Sequence, residues 1–189
     1  MTNFNIILYW LYLYLNKFFV LTNNPEQKQK KFKFSPLYSI VIPIYDTKDS
    51  FLELLLDSLY NQTYTKFEIC IADATNYEDG KHQNNPKLVL QKYQKKYNNL
   101  FVKYLNENKG IAENTNEAIK LAKGDYVVLC DHDDEMCLNA LYECTNAINN
   151  NNDIQIIYSD EDKIDLDSKS YFEPHFKPDF SLDLLLSVN

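Results

Sequence analysis

Four consecutive residues, Asp131-His132-Asp133-Asp134, place three carboxylates directly after an apolar run, YVVLC. Carboxylates held this close repel and raise one another's pKa unless a cation sits among them. Their oxygens suit a hard ion such as Mg2+ or Mn2+, which keeps waters and shares its ligands with a substrate's phosphates. The competing reading is a solvated acidic turn that caps the next helix. Position argues for the first: Asp73 ends a second apolar run, FEICIAD, and Tyr45-Asp46 follows a third, SIVIPI. An aspartate at a strand end often caps its own turn, yet it can equally accept hydrogen bonds from a ligand's N–H or hydroxyl groups. His132 would point away from its acidic neighbours if extended backbone persists, so it is read as a supporting residue and not as a ligand.

For these polar groups to meet, they must sit at the ends of neighbouring strands. The hydrophobic pattern supplies such strands at residues 38–44, 67–72, 101–105, 126–130 and 154–158. Between them the spacing predicts helices. One is capped by Asp49 or Ser50 and carries Leu52, Leu55, Leu56 and Leu59 on one face. Others run over 88–97, over 111–123 between Gly110 and Gly124, and over 138–148. Alternating strands and helices imply an α/β fold with a mainly parallel sheet covered on both faces. Ligands of such sheets bind at the carboxyl ends of the strands, where all three polar features lie.

Residues 37–189 read as this one domain, and 23–36, polar and lysine-rich with Pro25, as a linker. Residues 1–22 hold the run IILYWLYLYL, too short for a membrane-spanning helix. No positive charge precedes it and no small-residue cleavage site follows, so it does not read as a signal peptide. Two readings stand: a helix packed on the protein, or a helix lying on a membrane surface with Trp10 and the tyrosines at the interface.

The 189 residues carry a formal net charge of −8, which argues against a nucleic-acid partner held through its phosphates. All 19 basic residues are lysines. Any anion must therefore be held by lysine, backbone amides or a metal, without bidentate arginine clamps. The three glycines, Gly80, Gly110 and Gly124, fit neither a dinucleotide fingerprint nor a P-loop. Cys70, Cys130, Cys137 and Cys144 lack zinc-ligand spacing and sit mostly in apolar runs, as buried reduced thiols of a cytoplasmic protein do.

Four blocks together resemble family 2 glycosyltransferases of the GT-A fold: SIVIPIYDT (39–47), SLYNQTYTKFEICIAD (58–73), NKGIAENTNEAIKLAKGDYVVLCDHDDEM (108–136) and YSDEDKID (158–165). With PHFKPDFSLDLLLS (174–187), the last is similar to the rhamnosyltransferase-like branch that builds surface polysaccharides. The resemblance implies a Rossmann-like nucleotide-binding sheet and transfer of a sugar, with inversion, from a UDP- or dTDP-sugar to a glycan or lipid-linked acceptor. It implies that Pro43, Ile44, Tyr45 and Asp73 cradle the base, while Lys109, Gly110 and Asn116 border the nucleotide. Asp131 would contact the ribose or metal-bound waters, Asp133 would hold Mn2+ or Mg2+, and Asp134 would support it. A cytoplasmic enzyme, peripheral at the inner membrane face through residues 1–22, fits that chemistry.

This chain departs from the family where Asp73-Ala74-Thr75 stands for a pair of acids, and where Asp46 replaces a common asparagine. The family continues past the position of Asn189 into its acceptor-binding half. The catalytic base is therefore expected beyond Asn189, and the chain resembles the donor half. Glu161 and Asp162 are read as donor-side or structural contacts. A non-catalytic remnant that binds nucleotide or a partner chain is the second reading. A nucleotidyltransferase would need a basic, glycine-rich triphosphate loop after the first strand, and SIVIPIYDT has none.

Overall fold

The computed structural model describes residues 5–8, 31–78, 84–165, 170–178 and 181–183. Six strands form one sheet in the order β4-β3-β2-β5-β1-β6. They are β1 (Asn5–Leu8), β2 (Tyr38–Ile44), β3 (Phe67–Asp73), β4 (Leu100–Tyr104), β5 (Tyr126–Leu129) and β6 (Ile156–Ile157). Every pairing in it is parallel, as the alternating pattern predicts. Helices α1 (Asp49–Tyr60), α2 (Pro86–Lys96), α3 (Ile111–Ile119) and α4 (Ala140–Asn150) supply the crossovers and covering layers.

Strand β2 is buried along its whole length, and its two faces serve two cores. Ile40, Ile42 and Ile44 pack with Leu52, Leu55, Leu56 and Leu59 of α1, Leu90 of α2 and Leu141 of α4. Val41 turns the other way, into a smaller core with Cys70, Ala72, Val127 and Ala118 of α3. Burying each such aliphatic side chain contributes about 1.5–3 kcal/mol. A strand buried on both faces has no use for alternation, hence the continuous apolar run of YSIVIPI.

Strands β2, β3 and β4 succeed one another outward, and the chain then returns through α3 to place β5 on the other side of β2. The direction of winding reverses between β2 and β5, and crevices in doubly wound sheets open at such points. The ladder between β2 and β3 runs to Ile44↔Asp73, whereas the ladder to β5 stops at Val41↔Leu129. Pro43, which has no N–H to offer, lies past that stop.

Four expectations need correction. Residues 5–8, expected to be helical, form a strand between β5 and β6. A short apolar run fits either state, and the hydrogen-bonding edge of β5 decides for the strand. The remainder of 1–22, with its membrane-surface reading, and the linker as far as residue 30 lie outside the described residues. No described helix is long and apolar enough to cross a membrane. Helix α3 ends at Ile119, short of Gly124. Gly124 serves close approach instead: a Cβ there would stand 2.5 Å from the Leu37 carbonyl oxygen. Asp49 does not cap α1, whose N-cap is Lys48; its Oδ1 accepts the Asn85 N–H at 2.8 Å, tying α1 to the start of α2. The fifth expected strand shrinks to Ile156–Ile157, and an antiparallel hairpin follows it, β7 (Glu161–Ile164) with β8 (Tyr171–His175). The domain boundary expected at Asn189 also falls outside the described residues, the last of which is Asp183.

Candidate functional site

The exits of β2 and β3 are latched together. Asp73 is buried, 1% exposed, and both its oxygens are engaged. Oδ1 accepts the Thr75 N–H at 3.0 Å, and Oδ2 accepts the Tyr77 hydroxyl. Burial, reinforced by the Asp73 charge, drives the Tyr77 hydroxyl far above its ordinary pKa. Thr75 Oγ1 in turn accepts the Asp46 N–H at 3.1 Å. Asp46 adopts φ +50°, a left-handed conformation that Asn and Asp tolerate best among side-chain-bearing residues. That turn leaves Tyr45 46% exposed at the mouth of the crevice, while Pro43 and Ile44 stay buried beneath it. Lys87 lies over the rings of both Tyr77 and Tyr104, with its Nζ 5.5 and 5.2 Å from their centroids.

Across the crevice, the acidic loop is anchored at both ends. Before it, the Cys130 N–H bonds to the Val41 carbonyl at 3.1 Å, extending the sheet. After it, Ser58 Oγ of α1 accepts the Met136 N–H at 3.0 Å. Buried Gln62 donates to the Cys137 carbonyl at 2.6 Å and accepts the Leu141 N–H at 3.1 Å. The carboxylates between these anchors are crowded. Partial burial, then the charge of Asp133, raises the Asp131 carboxyl. Burial, then Asp131 and Asp133, pushes Asp134 up to about 7. Asp133 is exposed, with its Oδ1 4.0 Å from His132 Nδ1. Glu161 of β7 adds to the negative field at Asp134; its own carboxylate is held by Lys177 at 2.9 Å and His175 at 3.2 Å.

The third contributor is the loop that leaves β4. The Leu105 N–H bonds to the Asp73 carbonyl at 2.7 Å, which starts this loop beside Asp73. It ends at Gly110, φ +92°, the N-cap of α3. Lys109 is exposed and paired with Glu107 at 2.9 Å, and Asn116 is exposed on α3. The buried asparagine of this helix is Asn114.

Among the described residues, several buried polar atoms have no hydrogen-bond partner, and four of them lie near these strand ends. They are Thr47 Oγ1 after β2, Asn114 Oδ1 on α3, and His132 Nδ1 and Asp134 Oδ2 after β5. Because native structures pair nearly all such atoms, each unpaired one calls for an explanation. A hard divalent cation fits the loop after β5: the donors are carboxylate oxygens, their mutual repulsion outweighs the backbone hydrogen bond that Asp134 receives at Asp131, and Asp134 Oδ2 meets no donor among the described residues. Among the described residues no three acidic, His or Cys side chains converge on one point. Mg2+ and Mn2+ need no such convergence, since one or two carboxylates plus substrate phosphates commonly hold them. The catalytic base, expected beyond Asn189, is assigned to none of the described residues. Sequence reasoning missed Thr47, Thr75, Tyr77 and Asn114, whose roles depend on how loops close and not on any spacing.

A parallel sheet flanked by helices, with acid-bearing loops facing across its switch point, defines an α/β protein of the GT-A type. Residues 39–187 match the family described as "Glycosyl transferase family 2", and the chain belongs to that family. It is 33% identical over 162 residues to the uncharacterized protein y4gI of Sinorhizobium fredii, covering 85% of this chain and 17% of that one. It is 29% identical over 154 residues to the O-antigen biosynthesis protein RfbC of Myxococcus xanthus, covering 82% of this chain and 12% of that one. Among solved structures it is similar to S. aureus TarS 1-349 in complex with UDP-GlcNAc. There the TM-score is 0.53 and the identity 26%, with 61% of this chain and 32% of that chain covered. The chain thus spans less than a fifth of the length of these two curated relatives.

Proposed function

We propose that this chain forms the donor-binding part of a glycosyltransferase that moves a sugar from a nucleoside-diphosphate sugar to a hydroxyl of a cell-surface glycan or lipid-linked acceptor. The observation that carries this reading is the crowded acidic loop held across the switch-point crevice from Asp73. Family membership supports it, as do the printed names of RfbC, an O-antigen biosynthesis protein, and of TarS bound to UDP-GlcNAc.

Tyr45 offers a ring for the base to lie against, and Asp73 a carboxyl acceptor for a base N–H. Pro43 and Ile44 form the floor beneath them. Lys109 and the backbone at Gly110 border the nucleotide, with Asn116 on the same helix. Asp131 would contact the ribose or metal-bound waters, and Asp133 with Asp131 would hold Mn2+ or Mg2+, with Asp134 supporting it. When bound, that ion supplies positive charge to the diphosphate of the leaving nucleotide. In a chain without arginine, these carboxylates bring to the diphosphate a cation that the side chains do not supply as a fork. In the transfer, the acceptor oxygen bonds to the anomeric carbon on the face opposite the nucleotide. The bond from that carbon to the β-phosphate oxygen breaks, and the acceptor's proton passes to a carboxylate base expected beyond Asn189.

Calorimetric titration of UDP and dTDP, with and without Mn2+, tests the reading. Metal-dependent binding in the wild type that is lost in Asp133→Asn is the expected result; absence of binding to either nucleotide in every condition overturns it.

A further inference from the structure

Asn114 sits one turn before Ala118 on the buried face of α3, and Ala118 packs on Val41, Cys70 and Ala72 of the central strands. Because α3 begins where the loop from β4 returns, this extra turn carries Asn114 toward the carboxyl ends of β2 and β3. Its side chain is 3% exposed.

The orientation of its amide follows from its neighbours. The Gly110 backbone N–H donates to Asn108 Oδ1 at 2.9 Å, which identifies that atom as the oxygen. The same oxygen lies 2.9 Å from the Asn114 amide, so Asn114 must present its Nδ2 there. Asn114 Oδ1 then faces away from the loop, closed off from solvent, and no described residue donates to it. An acceptor fixed in direction, buried and unmatched among the described residues calls for a donor that those residues do not supply.

We infer that Asn114 is a donor-recognition residue whose Oδ1 accepts a hydrogen bond from a hydroxyl of the nucleotide sugar, with Asn108 as its positioning residue. A hydroxyl is the match because the carboxyl group of Asp73, at the neighbouring strand end, is the acceptor proposed for the base N–H. The hydroxyl belongs to the ribose or to the transferred sugar. The inference rests on the donor-site reading above and assigns to that site a residue outside its set.

The test measures Mn2+-supported binding of UDP, 2′-deoxy-UDP and UDP-glucose to the wild type, Asn114→Ala and Asn108→Ala, with Tm followed in parallel. Asn114→Ala is expected to weaken binding about 3- to 10-fold, the range of one neutral hydrogen bond. Its Tm should hold level or rise, because an unmatched acceptor leaves the interior. Asn108→Ala should weaken binding less, by freeing the amide to turn. If the loss appears with UDP but not with 2′-deoxy-UDP, the partner is the ribose 2′-hydroxyl; if it appears only with UDP-glucose, a sugar hydroxyl; equal loss with all three ligands assigns the ribose 3′-hydroxyl. Unchanged affinity for every ligand, with a wild type that binds, overturns the inference while leaving the donor site standing. So does a fall in Tm that alone accounts for weaker binding. A wild type that binds none of the three overturns both.

Discussion

Two aspartate-bearing strand ends face each other across this crevice, and they are finished to different degrees. At the end of β3, Asp73 has each oxygen matched by a donor of its own chain, Thr75 N–H and the Tyr77 hydroxyl. At the end of β5, three acids share a loop whose two ends are bolted down but whose carboxylates repel one another, and Asp134 Oδ2 has no donor among the described residues. The first arrangement is complete without a ligand and presents a prepared surface. The second leaves its acids crowded, and that crowding is what the proposed cation site rests on.

The comparison can be broken by substitution. The largest effect is expected from Asp73→Ala, which strands two donors in the interior. Urea denaturation should show a loss of about 3 kcal/mol, and a loss below about 1 kcal/mol would mean the latch is loose. Asp134→Asn should act in the opposite direction. Without divalent ions and at pH 8, above its raised pKa of about 7, it removes a partly buried charge crowded by Asp131 and Asp133 and should raise stability by about 1–2 kcal/mol; a decrease would mean that its backbone hydrogen bond at Asp131 outweighs that repulsion. Tyr77→Phe removes one of the two donors to Asp73 and should cost about 1 kcal/mol, less than Asp73→Ala. Equal costs would place the whole latch in the tyrosine. Smallest is Asp133→Asn: at this exposed site, metal-free stability should move by less than about 0.5 kcal/mol.

The complete side of this site was harder to read in the sequence than the incomplete one. Asp131 to Asp134 announce themselves because three acids after an apolar run are chemically costly, whatever the fold. Asp73 could be located at a strand end, but the Tyr77 hydroxyl that engages it comes from a loop with no periodicity. Strands β2, β3 and β5 were legible because burial on both faces demands unbroken apolar runs such as YSIVIPI and FEICIAD. Strand β1 was not, since NIIL suits helix and strand alike and only the edge of β5 distinguishes them. The β7–β8 hairpin escaped because three of the four residues of EDKI are charged and YFEPH carries Pro174, which speaks against a strand. Asn114 escaped because one asparagine in a polar helix stands out only when its neighbours settle which way it faces. The resemblance drew attention to Asn116 instead, and that residue is exposed on the same helix.

The central claim is that the loop after β5 takes up a divalent cation together with a nucleotide's diphosphate. Electron paramagnetic resonance of free Mn2+ tests it directly, because the ion's six-line signal fades when it is bound. With UDP and wild-type chain in excess, the signal should fall well below that of Mn2+ with UDP alone, and Asp133→Asn should restore it. A signal unaffected by the wild type, or reduced equally by both proteins, would contradict the claim.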